Sequence, residues 1–349
     1  MRHMVTRLTL VATAAMLCPA FARAQAVVRI DSTHHTVTLT AGPWDIPAPP
    51  KGATGEHAGH SEPPTERFVW PVSGWLRGAR LEIIGANGAA LPRDIVHHIE
   101  VVNFGRRELF YPAAERLVGF GKETEDLRLP ATIGVPVTAG MPMAVAIAWH
   151  NATAAALPGV RLQLTFEWLP TNFNPRPVSV LPVTLVVSHD IFEESGWDLP
   201  AGPSSWTRDF PAALSGRILA AGGHLHDYAR NLELVDVPAA GEPRQVLALA
   251  VKQGPSGQIL SLQRLLPGVM GDGIRMHEGH TYRIVGTYQN PTGKTIEGGA
   301  MTHLVVLFAP DKLAAWPAVV ASDPGWQKDQ DYLFHRTMAG MDMPGMEKH

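Results

Sequence analysis

Histidine gives this sequence its chemistry: there are 16 in 349 residues, several of them adjacent or two apart. The most telling group is Gly222-Gly223-His224-Leu225-His226-Asp227, set between the apolar Ile218-Leu219-Ala220-Ala221 and the alternating Leu232-Glu233-Leu234-Val235. That setting reads as a strand, in which residues i and i+2 share a face about 7 Å apart. Two imidazoles can then converge on one metal ion. Met301, within Gly298-Gly299-Ala300-Met301-Thr302-His303, offers a soft third donor. A thioether beside two imidazoles suits copper, and Cu(I) above all. In isolation, His-x-His is more often ordinary polarity at a strand end, and a methionine in an apolar strand is more often core. The remaining histidines weigh against that plain reading.

His97 and His98 sit inside the apolar run Ile95–Val102, and His150 ends another, Met143–Trp149. Strand periodicity sends adjacent side chains to opposite faces unless a bulge intervenes. With a bulge, His97, His98 and His150 would form a three-imidazole site, which also suits copper. Accessory donors are His303, two residues past Met301, and a terminal group of His335, Met338, Met341, Met343, Met346 and His349. Methionine this dense in a polar, Gly/Pro-containing tail is poor core material but can collect Cu(I). His34-His35 falls in a turn, and His57 and His60 fall in a Pro-rich segment that reads as a flexible, solvated loop near 47–65. His189, His277 and His280 have no evident partner and are expected in surface or structural roles.

The elements that must position these residues are strands. Gly (33) and Pro (30) are frequent, charged residues make up only 17%, and long helical patterns are scarce. Many short strands with Pro/Gly turns point to an all-β protein. Residues 1–24 carry Arg2 and Arg7, an apolar stretch from Leu8 to Leu17 and Ala22-Arg23-Ala24, the form of an export signal. Its apolar stretch is short for a membrane span, so none is expected after signal removal. The lone cysteine, Cys18, lies in this segment, which leaves no disulfide in the mature chain. Lys and Arg total 29 against 32 Asp and Glu, and loss of residues 1–24 removes only basic charge. An acidic balance argues against a nucleic-acid partner. The clean alternation of Val160–Phe166 followed by the proline-rich Leu169–Pro177 suggests two antiparallel β-sandwich domains, 27–168 and 175–310. Strand patterning ends at Asp311. Within the 311–349 extension, residues 325 onward carry too few periodic apolar residues to bury and are expected to be dispensable for folding.

The order His-His, strand-terminal His, His-x-His, Met resembles the type II copper, ascorbate-dependent monooxygenases, the relatives of peptidylglycine α-hydroxylating and dopamine β-monooxygenases. The flanks are similar too: Arg116-Leu117-Val118-Gly119-Phe120-Gly121, Ala148-Trp149-His150-Asn151 and Tyr288-Gln289-Asn290-Pro291-Thr292-Gly293. The resemblance spans roughly residues 85–310. It implies two jelly-roll-like sandwiches packed side by side across a solvent cleft, with two copper ions. One, on His97, His98 and His150, would pass an electron; the other, on His224, His226 and Met301, would meet O2. The implied activity is hydroxylation of a C–H bond of a small organic substrate, with an external reductant such as ascorbate or a redox protein. Gly222 stands where the peptidylglycine enzymes carry an arginine, and Val305 where they carry a tyrosine, so glycine-terminated peptides are not the expected substrate. Two other functions fit the same pattern. One is a secreted or periplasmic copper transport or storage protein of this fold without catalysis. The other is a sandwich that binds a partner and holds no metal.

Overall fold

The computed structural model describes residues 25–51, 59–187, 197–270 and 272–335. Alternating sequence becomes alternating burial. In the Leu157–Pro170 strand, Val160, Leu162, Leu164 and Phe166 are buried while Arg161, Gln163 and Thr165 stay partly exposed. The fold is all-β, built as two antiparallel sandwiches packed side by side.

In the first unit, one sheet runs in the order Val27–Asp31, Thr36–Ile46, Leu157–Pro170, Gly74–Ile84, Ile133–Val137, Val178–Ser179. The second runs His60–Ser61, Pro142–His150, Val96–Arg107, Ala114–Gly121. Leu39, Leu81 and Leu164 from the first sheet and Ile99, Val101, Val145 and Ile147 from the second share one core. The second unit pairs a four-stranded sheet (Leu181–Val186, Thr302–Pro310, Gly216–Leu225, Ile274–Met276) with a five-stranded one (Gly202–Pro211, Thr281–Asn290, Ala229–Val237, Arg244–Gln253, Ile259–Leu262). Val183, Ile218, Leu304 and Val306 meet Leu232, Leu234, Leu249 and Ile284 in its core.

The passage between units falls later than the proline-rich stretch suggests. Val178–Ser179 still pairs, in parallel, with Ile133–Val137, and Val180 packs in the first core. The units also interlock. Leu109, Tyr111 and Ala113, from the first, belong to the second core, and Leu219 of the second belongs to the first. Fully buried Glu108 accepts hydrogen bonds from the Arg116 N–H (2.9 Å), the Thr184 N–H (3.2 Å) and the Thr184 hydroxyl (3.1 Å). Burial pushes its carboxyl up to about 7 against the pull of those backbone donors.

The C-terminal extension departs from its expected dispensability. The Pro324–His335 helix lies on the first unit, where Trp326 and Leu333 pack with Val102, Ala114 and Ala146. Asp329, 0% exposed, accepts from both terminal nitrogens of Arg116 at 2.9 and 2.7 Å and from the Ala114 N–H at 2.8 Å. Thr65 donates to the Leu333 carbonyl, and the Arg67 guanidinium stands 3.6 Å over the Phe334 ring. A few anchors and one buried ion pair hold this helix, and an ion pair leaves no trace in apolar periodicity.

Candidate metal centre

The His-His pair is brought together by a break in strand phase. Along the ladder between Pro142–His150 and Val96–Arg107, Ala148 faces His98 but Trp149 faces Val96. His97 is the extra residue, a bulge that cancels the period-two separation. The His97 and His98 rings therefore lie 5.1 Å apart between centroids. His150, at the end of its strand, faces His60 across the ladder, and the His60 ring stands 4.9 Å from His97. The expectation of a solvated His60 is overturned: a two-residue strand fixes it beside the pair.

In the second unit, His224 faces His303 across the Gly216–Leu225 and Thr302–Pro310 strands, with ring centroids 5.8 Å apart. A β-carbon on Gly223 would collide with the His303 carbonyl, so glycine allows the close approach. His226 follows the strand end, 5.4 Å from His224. The ladder ends with Leu225 facing Thr302, so His226 and Met301 are the next residues beyond it on the two chains. Met301 is buried, at 8% exposed, yet stands outside all three hydrophobic clusters of the described residues.

The two groups meet. His97 and His226, from different units, are 5.9 Å apart. Where the resemblance implies a solvent cleft between two centres, a small cavity of about 20 Å³ is lined by His97, His150, His224, His226, Lys122, Glu123, Val96 and Leu225. That is room for an ion or a water. The interlocked cores described above account for the closure.

Glu123 completes the boundary. The Ala114–Gly121 strand ends with Gly121 opposite His98, which delivers Lys122 and Glu123 to the cavity. His224 Nδ1 donates to Glu123 Oε1 at 2.6 Å. A β-carbon on Gly121 would lie 2.5 Å from Glu123 Oε2, so glycine makes the space the carboxylate occupies. Burial raises the Glu123 carboxyl, but the facing His224 more than offsets it, and the group ends below its ordinary value. Lys122 reaches Asp227 at 3.7 Å, across the same boundary.

Burial, and then the neighbouring imidazoles, hold His97 far below the ordinary histidine range. The same causes push His226 well below it and His303 down to about 3. All three rings are neutral at pH 7, the form that carries a lone pair for a metal. His226 is the sharpest case. It is 4% exposed, and neither ring nitrogen has a hydrogen-bond partner of ordinary geometry, although the Gly298 backbone is near. An unsatisfied buried nitrogen costs roughly 1–3 kcal/mol, which a coordinated ion would remove.

Two imidazoles on one ion have ring centres roughly 5–6 Å apart, given metal–nitrogen bonds of about 2.0–2.1 Å. The observed separations of 4.9–5.9 Å fit that range. Among the described residues, however, no three His, Cys, Asp or Glu side chains stand in a ready ligand geometry. His97 and His98 lie together and His150 lines the same cavity as His97, but the three do not form the expected trio. Elsewhere, His280 Nδ1 donates to Asp236 at 2.8 Å with His277 alongside, a pairing that the sequence pattern did not show. His34 pairs with Asp31 in its turn. His57, His189, Met338, Met341, Met343, Met346 and His349 lie outside the described residues, and His335 closes the C-terminal helix.

No family model and no curated protein matches the chain. Among solved structures, it is similar to the STIV MCP, at 10% identity, with 73% of this chain and 98% of that one covered and a TM-score of 0.34. A protein from Parabacteroides distasonis described as secreted aligns at 10% identity, covering 80% and 91%, with a TM-score of 0.18. A protein from Eubacterium rectale described in the same way aligns at 9%, covering 75% and 77%, also with a TM-score of 0.18. Likenesses at this level assign no function. Among the described residues, no helix is long and apolar enough to cross a membrane.

Proposed function

We propose that this chain is an exported copper protein of the dicopper monooxygenase type, hydroxylating a C–H bond of a small organic substrate. Its ligands are His97, His98 and His150 from one unit and His224, His226 and Met301 from the other, with His60 and His303 adjoining. The observation that carries the reading is His226: buried, neutral and with no hydrogen-bond partner of ordinary geometry, within 6 Å of imidazoles from both units. Copper held there would supply one-electron redox chemistry, with O2 as oxidant and ascorbate or a redox protein as electron source. The chain keeps the buried imidazoles deprotonated and fixes the His224 ring through Glu123. The thioether of Met301, just beyond the same ladder end as His226, would favour the reduced ion. The leader-like residues 1–24 support export to a secreted or periplasmic location, where copper proteins meet O2.

A second reading, copper storage or transport without catalysis, draws on the size of the cavity: about 20 Å³ is room for an ion or a water. One experiment separates the two. Purified full-length protein is loaded with copper, its stoichiometry measured, and O2 uptake followed with ascorbate. Bound copper with reductant-dependent O2 uptake stimulated by a substrate supports the monooxygenase. Bound copper without uptake supports storage or transport. A folded chain that takes up no copper defeats both.

A further inference from the structure

We propose that Glu123 is a positioning residue that makes the His224 metal site depend on closure of the two units. This rests on the copper reading above. The His224 ring belongs to the second unit, while the carboxylate that orients it comes from the first. With Nδ1 donating to Glu123 at 2.6 Å, the ring plane is fixed and the tautomer is set, with the lone pair on Nε2. Metal-bound histidines commonly hold such an outer carboxylate, which sets the tautomer and raises ligand basicity. Here the partner lies 101 residues away in the chain, on the other side of the boundary.

The segment that carries Glu123 is fastened to the second unit independently of the histidines. Lys122 approaches Asp227 at 3.7 Å. Arg264 of the second unit donates to the Asp126 carbonyl at 2.9 Å and to the Glu125 carbonyl. Gly121 leaves room for the carboxylate, and Thr124 folds the turn back, its N–H donating to the Gly121 carbonyl at 3.1 Å and its hydroxyl accepting from the Gly121 N–H at 2.9 Å. Residues 121–126 therefore act as a clasp. Parting the units would withdraw Glu123 from His224 and remove His97 from His226 together. Coupling of this kind is reciprocal: if closure strengthens metal binding, metal binding strengthens closure.

The test uses full-length protein, copper alone as the probe, and two variants. Glu123→Gln keeps the shape but loses the charge. Arg264→Ala loosens the clasp without touching an imidazole. Cu(I) affinity is measured by chelator competition, the Cu(II) site by electron paramagnetic resonance, and the clasp by hydrogen exchange over residues 121–126. Copper should slow exchange in the unaltered clasp. Glu123→Gln should lower affinity about tenfold, change the Cu(II) spectrum and abolish the copper-dependent slowing. Arg264→Ala should abolish the slowing with a smaller loss of affinity. Should Glu123→Gln fail to fold, loss of slowing in Arg264→Ala still supports the proposal. Unchanged affinity, spectrum and slowing in folded Glu123→Gln, or unchanged slowing in Arg264→Ala, overturns it while leaving the copper reading intact. An unaltered chain that binds no copper removes the copper reading itself and the coupling with it.

Discussion

Two polar interiors in this molecule are built in opposite ways. Where the C-terminal helix meets the first unit, Asp329 receives three hydrogen bonds from Arg116 and Ala114, and Arg116 also donates to the Ala114 carbonyl at 3.0 Å. At the boundary between units, His226 is almost as deeply buried, yet neither nitrogen has a hydrogen-bond partner of ordinary geometry. The first arrangement uses both terminal nitrogens of the guanidinium, leaves only Nε, 3.5 Å from Glu100, without a hydrogen bond, and fastens two parts of the chain. The second is complete only with something added. Buried polar groups are normally satisfied, so a buried unsatisfied ring among other neutral rings is the mark of a binding site, whereas the ion pair is structural.

Substitution can break the comparison at either end. The largest effect is expected from Asp329→Ala, which strands a buried guanidinium. Breaking one side of a buried pair costs about 3–5 kcal/mol. Denaturant unfolding should show that loss, and copper content per folded molecule should stay the same. A stability change below about 1 kcal/mol would mean that the helix is held by its apolar contacts alone.

Acid should act on the histidine side. His303 titrates at about 3 when folded against 6.5 unfolded, so its contribution is complete above pH 6.5 and is lost as pH falls toward 3. The slope is at most about 1.4 kcal/mol per pH unit. His97 and His226 are displaced in the same direction. Glu108 has the opposite sign: raised from 4.5 to about 7, its contribution is present below 4.5 and lost as pH rises through 7. Burial raises Glu66 and Glu115 in the same sense as Glu108, but the three imidazoles are displaced further, so metal-free protein should weaken from pH 6.5 to 4.5. Urea midpoints that stay level over that interval would show the rings to be more hydrated than their burial indicates.

Met301→Ile preserves most of the apolar volume and should cost no more than about 1.5 kcal/mol. Cu(I) affinity at the His224–His226 site should fall sharply while the His97 side stays loaded. Equal Cu(I) binding by a folded variant would make Met301 mere packing. The smallest change in stability, and the most diagnostic in sign, belongs to His226→Leu. It removes two unsatisfied nitrogens, so metal-free protein should gain about 1 kcal/mol as copper binding collapses. A loss of stability in metal-free His226→Leu would show that the ring is already paired.

Much of this arrangement could be read from the sequence, for definite reasons. Alternation in Val160–Phe166 fixes one face to the core, and the pattern survives intact in the fold. His224 and His226 needed only strand spacing to come together. Glu123 was invisible because it sits in Lys122-Glu123-Thr124-Glu125-Asp126, which reads as a solvated charged turn, and its partner is far away in the chain. His60 was obscured by the Pro/Gly-rich run before it and by a strand of only two residues. The C-terminal helix shows apolar side chains mainly at Trp326 and in Tyr332-Leu333-Phe334, too sparse a pattern to announce a buried face. Local pattern carries the elements. The meeting of the two units depends on pairings no local pattern contains.

The bulge at His97 has a further consequence, one of parity. The strand carries one more residue than its partner between Val96 and His98, and that odd count is what lets two adjacent histidines share a neighbourhood. A substitution at Val96 would change one side chain. Deletion of Val96 would restore even counting and send one of the two rings back toward the Ile99–Val101 core face, where an imidazole has no donor or acceptor to meet. The site is thus more sensitive here to chain length than to chemistry, and no single replacement elsewhere in the strand could compensate for the missing residue.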